Sequence, residues 1–338
     1  MGIGRLLVRV SSLAWMYSAV IAASGNAYGQ SQTGGPHAPG DYIKTAKARL
    51  WYEAEGSGDP VVLISGGPGD SHAIYHPFFS RFADHHRLIY YDPFGVGKSE
   101  KATDKKDYRF ARDVEDLEAV RNELGLPSIT LIGHSYGSIV AQAYALKYPK
   151  AVKRLVLIGP FHGGAMWQEN DDNANREIRN QYPDVWEKLM DLRAHGIRSD
   201  DIAHQDAYFG IGLGLFYFFD AAKAALLPHD SGNPDVYYSI AGKDAEFKIG
   251  GDIAKIDFRP ELRKLQMPIL ILAGRYDRIS MPKNVVEYRK LTPGARIVFL
   301  EHSGHFPYIE EPDETAAVLR EFLEEPLKRT RTDAGNLP

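Results

Sequence analysis

Short apolar runs recur along the chain, separated by stretches with helical spacing. Val61-Val62-Leu63-Ile64, Arg87 to Asp92, Ile129 to Ile132, Leu155-Val156-Leu157-Ile158, Ile269-Leu270-Ile271-Leu272 and Arg296 to Leu300 are too short for helices, and most are too continuously apolar for a strand with one wet face. This pattern predicts strands buried on both faces, the kind found in a parallel sheet covered by helices. Between the runs, Phe110 to Leu124 carries Val114, Leu117, Val120 and Leu124 along one face and ends at Gly125 and Pro127. Ile139 to Tyr148, stopped by Pro149, and then Pro282 to Leu291 and Asp313 to Leu323 also read as helices. Tyr42 to Glu55 alternates in two segments around Lys47 and predicts an opening antiparallel hairpin. The expected class is α/β: a mostly parallel central sheet with helices on both faces and functional loops at the C-terminal ends of the strands.

The alternation breaks down between residues 161 and 258. That segment is rich in Trp, Tyr, Phe and charge, with helical pieces at Glu177 to Arg193, at Asp220 to Leu227 and around Tyr237. It predicts a helical cap, 161–258, inserted into a core formed by 42–160 and 259–326. Gly210-Ile211-Gly212-Leu213-Gly214 has the spacing of a dinucleotide fingerprint, but it follows no strand and runs into Phe216-Tyr217-Phe218-Phe219. No nucleotide is expected there. The aromatic run suits either a pocket lining or the core of the cap.

The ends read differently. Arg5 and Arg9 precede a mostly apolar stretch, Val10 to Ala23, and small residues lead to Ala27-Tyr28-Gly29. Residues 1–29 therefore read as a cleaved signal peptide, which predicts an exported protein, periplasmic or secreted, with no stable membrane anchor after processing. Residues 30–41 read as a linker and 327–338 as a loose polar tail. The full chain of 338 residues carries a net charge of −4 and no cysteine. Nucleic acid is not an expected partner, and a thiol nucleophile, a thiolate metal site and disulfides are excluded.

Chemistry concentrates at Gly133-His134-Ser135-Tyr136-Gly137, a Gly-x-Ser-x-Gly between a strand and a helix. A strand that turns sharply into a helix needs glycine on either side of the apex, and the apical hydroxyl then stands above the sheet edge. Two further loops carry Asp277 and His305. Histidine titrates near neutrality and can take a serine proton, and a carboxylate fixes its tautomer. The expected catalytic set is Ser135, Asp277 and His305, with the amides of Gly67 and Tyr136 as an oxyanion hole. Ser65-Gly66-Gly67-Pro68-Gly69 directly follows a buried strand, which suits that role. Asp252 and Asp257 compete with Asp277 but follow no buried strand. His302 lies three residues before His305 without a third ligand at metal spacing, so neither a metal nor a cofactor is expected. Gly97-Lys98-Ser99 lacks the earlier glycine of a phosphate loop, having Asp92 in its place, and reads as a structural loop.

Most of residues 42–325 resemble the prolyl aminopeptidase (proline iminopeptidase) group of the α/β-hydrolases. The resemblance rests on Ser65 to Gly69, Tyr91 to Ser99, Gly133 to Gly137, Gly274-Arg275-Tyr276-Asp277 and the cap segment Tyr238 to Phe247. It implies an α/β-hydrolase fold and a serine hydrolase acting on a small peptide, amide or ester. In the tricorn-interacting branch, a glutamate matching Glu246 binds the free α-amine of the substrate. Two positions depart from the group: Ser65 stands where the loop usually begins with His, and Arg278 stands where that branch has a second amine-binding acid. The leading expectation is release of N-terminal residues, Pro foremost, through an acyl-enzyme. The alternative is a carboxylesterase or amidase on the same fold that needs no free amine. An intact Ser/Asp/His set argues against a non-catalytic binding protein.

Overall fold

The computed structural model describes residues 40–327 except 213 and 229–231. The expected signal peptide, most of the linker and nearly all of the tail lie outside these residues. Eight strands form one sheet: β1 (Asp41–Lys44), β2 (Arg49–Glu55), β3 (Asp59–Ile64), β4 (His86–Tyr91), β5 (Ile129–His134), β6 (Val152–Ile158), β7 (Ile269–Gly274) and β8 (Arg296–Leu300). Their order is β1-β2-β4-β3-β5-β6-β7-β8. The hairpin pairs β1 antiparallel to β2, and β2 runs antiparallel to β4. Every pairing from β4 to β8 is parallel.

The continuous apolar runs follow from the twofold period of a strand. Val62, Ile64, Leu131, Leu155, Leu157 and Ile271 point into one core layer, and Val61, Leu63, Ile132, Val156, Ile158 and Leu270 into the opposite one. Helices α1 (Phe110–Glu123), α2 (Tyr136–Lys147) and, between β7 and β8, α8 (Pro282–Leu291) supply side chains to the first layer. The C-terminal helices α9 (Pro307–Glu310) and α10 (Pro312–Glu324) cover the second.

Between β6 and β7 the chain leaves the sheet and builds the cap: α3 (Gly164–Gln181), α4 (Pro183–Ala194), α5 (Ile202–Phe209), α6 (Gly214–Tyr217) and α7 (Pro234–Ala241). Ala174, Ile178, Leu189, Ala207, Tyr208 and Phe216 form a small core of their own. Here the helix boundaries differ from expectation. The single helix expected over Glu177 to Arg193 is two, because Pro183 has no amide to continue α3 and instead occupies the first turn of α4. The helix α5, which the sequence pattern missed, is capped by Asp201, whose side chain accepts from the Ala203 amide at 2.9 Å. Asp220 to Leu227 forms a 3-10 turn over Ala221–Leu226 rather than an α-helix. The first strand begins at Asp41, the last residue of the expected linker. No helix among the described residues is long and apolar enough to cross a membrane.

Candidate active site

Ser135 caps the turn from β5 into α2 with φ 53° and ψ −121°, and is the non-glycine residue at positive φ among the described residues. Such a conformation costs on the order of 1–3 kcal/mol and persists only where its surroundings impose it. They do so here. The Ser135 amide donates to the Ile158 carbonyl at 2.9 Å, and the Ser135 carbonyl accepts from the Ser138 amide at 2.9 Å. A Cβ on Gly133 would stand 2.4 Å from the Gly137 carbonyl oxygen, and one on Gly137 would stand 2.1 Å from that of Ile64. The two glycines of the motif are therefore there for close approach.

Asp277 and His305 are both buried, with His305 Nδ1 2.8 Å from Asp277 Oδ2. The other carboxylate oxygen of Asp277 accepts from the amides of Ile279 at 2.8 Å and Ser280 at 2.7 Å. With Nδ1 engaged, His305 Nε2 has no protein partner among the described residues. Residues beside Ser135 hold this histidine. The His134 ring lies 4.7 Å from the His305 ring, and its Nε2 donates to the His305 carbonyl at 2.9 Å. Burial depresses the basicity of His134, so it is a neutral donor. Gly159, next to the carbonyl that fixes Ser135, has φ 53° and a would-be Cβ only 2.9 Å from the His305 ring. The expected competitors lie elsewhere. Asp252 pairs with Arg109 at 2.8 Å, Asp257 pairs with Arg259, and exposed His302 donates its amide to Glu311.

The loop leaving β3 closes over the same point. Ser65 Oγ donates to the Asp70 carbonyl at 2.7 Å, and Gly67 and Gly69 have φ of 96° and 102°. A Cβ on Gly66 would stand 3.3 Å from that of Ser135, so this backbone runs directly against the serine. Tyr136 opens α2, and its amide therefore has no partner within the helix. The Tyr136 hydroxyl is drawn away to Asp113, whose carboxyl burial pushes up to about 8. Ser99 and Lys98 tie their loop to Asp92, as expected of a structural loop.

The cap holds two acids that the sequence only half revealed. Glu246 is buried, accepts from the Tyr238 hydroxyl at 3.1 Å, and is pushed up to about 7 by burial. Asp171 of α3 is raised by burial and by the Glu246 charge nearby. The hydroxyls of Tyr208, Tyr217, Tyr237 and Tyr238 all lie in the field of Glu246. The Tyr217 ring stands 5.6 Å from that of His305, and its carbonyl accepts the His305 amide at 2.6 Å, which ties Tyr217 to the His305 loop. The aromatic run therefore divides: Phe216 packs in the cap core, Tyr217 and Phe218 face the histidine loop. Arg278 reaches Glu177 of α3 at 3.2 Å. Asp171 was missed because it reads as one charge among many. The available signal is that it falls on the helical stripe of Trp167, Ala174 and Ile178, where a carboxylate is out of place.

Residues 59–312 match the family model of the α/β-hydrolase fold. A proline iminopeptidase of Heyndrickxia coagulans is 30% identical over 274 residues, covering 80% of this chain and 93% of the relative. The crystal structure of VinJ superposes with a TM-score of 0.70 at 24% identity, over 86% of this chain and 99% of the other. That of proline iminopeptidase from Mycobacterium smegmatis gives 0.67 at 20% identity, over 85% and 98%. These two structures share the fold.

Proposed function

Because the chain belongs to the α/β-hydrolase family and, within it, to the proline-iminopeptidase-like members, we propose that it is a serine hydrolase that releases N-terminal residues, proline foremost, from small peptides or amino-acid amides. In this reading His305 Nε2 takes the Ser135 proton as the hydroxyl attacks the scissile carbonyl, and Asp277 steadies the imidazolium. The amides of Gly67 and Tyr136 receive the oxyanion, each worth on the order of 3 kcal/mol in the transition state. His305 then returns the proton to the leaving amine, and water repeats the sequence to free the acyl group from Ser135.

The observation that carries the free-amine requirement is the pair of cap carboxylates, Asp171 and Glu246. Burial works against ionising either one, and the Glu246 charge further opposes that of Asp171. An ammonium ion arriving between them relieves both costs, whereas a blocked amine leaves them unpaired. Asp171 then takes the place of the second acid that Arg278 replaces. Arg278 itself pairs with Glu177. The surrounding tyrosines offer apolar faces to a pyrrolidine ring.

The test is hydrolysis of Pro- and Ala-p-nitroanilide, of their N-blocked forms and of short p-nitrophenyl esters, beside Ser135→Ala. We expect the free amines to be preferred by tenfold or more in kcat/KM, and Ser135→Ala to lose about 10⁴-fold or more in kcat. Equal turnover of blocked amides and esters would favour the second reading, an esterase or amidase, to which Ser65 at the head of the oxyanion loop points. We also propose export, from the charged and then apolar residues 1–29. N-terminal sequencing of the protein recovered from the extracytoplasmic fraction checks this, and a retained Met1 would count against it.

A further inference from the structure

At the hairpin side of the sheet, three potential ligands converge that the reading above does not use. Glu53 stands on β2, and His72 and His76 on the loop between β3 and β4. Glu53 Oε1 lies 2.9 Å from His76 Nε2 and 3.5 Å from His72 Nε2, and the three ligating atoms all lie within 4.8 Å of one another. Around a tetrahedral Zn²⁺ with bonds of about 2.0–2.1 Å, ligating atoms stand about 3.3–3.4 Å apart. The two measured separations bracket that spacing. We propose that Glu53, His72 and His76 bind one divalent transition-metal ion, Zn²⁺ foremost.

A second set of contacts argues for this independently of the three ligands. Each histidine turns its Nε2 toward Glu53 and its Nδ1 toward a different carboxylate. His72 Nδ1 is 2.7 Å from Oδ1 of Asp92, which is fully buried, and His76 Nδ1 is 3.3 Å from Glu55 Oε1. Imidazoles that bind metal are commonly oriented this way, with the second nitrogen held by a carboxylate that fixes the tautomer and strengthens the ligand. Asp92 is itself held, accepting the His72 amide at 3.0 Å and the Lys98 amide at 2.9 Å. Two imidazoles and a carboxylate suit Zn²⁺, and the three carboxylates Glu53, Glu55 and Asp92 supply charge to offset the cation. Glu53 and His76 keep 15% and 24% side-chain exposure, which leaves a path for the ion and a fourth position for water. The ion would clamp the loop that begins at Ser65 to β2 at His72, two residues after Asp70. Its role is structural support of the oxyanion loop.

With protons on both imidazoles the same residues would instead form a simple ion-pair cluster, and the experiment separates the two. The full-length protein, stripped of metal, is dialysed against Zn²⁺ and, in parallel, Co²⁺, and a crystal of the Zn²⁺-loaded form is measured at the zinc absorption edge. We expect one Zn²⁺ per chain, the visible absorption of four-coordinate Co²⁺, and an anomalous peak between Glu53, His72 and His76. His76→Gln and Glu53→Gln should each weaken Zn²⁺ binding at least tenfold and remove the rise in Tm that Zn²⁺ gives the wild type. No retained ion, or a peak at other residues, overturns the proposal, as does undiminished binding by both variants. If a variant fails to fold, the anomalous map of the wild type decides alone. None of these readouts depends on the substrate, so the metal site and the aminopeptidase reading can fail separately.

Discussion

Asp113 shows how one buried group sets a dependence on pH. Its carboxyl accepts from the Tyr136 hydroxyl and is pushed up to about 8 by burial, against about 3.9 for an unfolded chain. The folded protein therefore holds a proton there that the unfolded chain has released, so stability falls as pH rises between those two values. The full effect is on the order of 5 kcal/mol. Asp113→Asn cannot ionise, so we expect its Tm to fall less than that of the wild type between pH 5 and pH 8.5. Parallel melting curves would show that the carboxyl does not titrate in this window. Gly159 makes a steric prediction. Gly159→Ala places a Cβ at positive φ, 2.9 Å from the His305 ring. We expect the ring to shift and kcat to fall about 100-fold while the protein stays folded, since small misplacements at a reacting centre cost that much. An unchanged kcat would show that the ring does not need this gap.

Elements differ in how plainly they show in a sequence, and the reason is where their side chains point. Each central strand here is buried on both faces, so its apolar run is uninterrupted, and β3, β5, β6 and β7 contain the expected runs and extend beyond them. Expected and observed bounds coincide at β8 and α8. The loops that carry Ser135, Asp277 and His305 each directly follow a strand, β5, β7 and β8, and the first two of these strands are buried throughout. The cap helices bury only a stripe against a core of six residues, and two of them join at Pro183 without an intervening loop. Their boundaries blur accordingly. Asp171 escaped notice because its meaning depends on α3 bringing it into the field of Glu246, a residue far along the chain. The Glu53, His72 and His76 cluster has the same origin, since a strand and a distant loop supply it without a spacing motif. An element-scale prediction follows for α3. Asp171→Asn keeps the shape of the helix but removes the second charge, and should raise KM for Pro-p-nitroanilide about tenfold while leaving kcat on a short ester unchanged. Equal effects on both substrates would mean a fault in the cap as a whole.

At the scale of the whole molecule, the sheet would supply the reaction and the cap the selection, and their pH responses should differ. Glu246, pushed up to about 7, is mostly uncharged below that pH and charged above it. A substrate α-amine with a pKa near 8 is charged only below that value, so the pairing of carboxylate and ammonium is strongest at about pH 7–8. KM for Pro-p-nitroanilide should therefore fall as pH rises from 6 to 7.5, while KM for an ester without an amine stays level. Glu246→Gln should remove the trend and raise KM for the amine about tenfold or more. An amine KM that tracks the ester KM across the range would remove Glu246 from substrate recognition.

The cap and the base loop also share a fastener. Glu310 of α9 accepts the amides of Phe219 at 2.8 Å and Asp220 at 3.0 Å from the cap, and that of Gly304, next to His305, at 2.6 Å. One carboxylate thus holds the lid's root and the hinge of the imidazole at once. A protein engineer who transplants a foreign cap onto this sheet to change specificity would unseat the histidine as well, unless the graft restores two amides for Glu310 to grip.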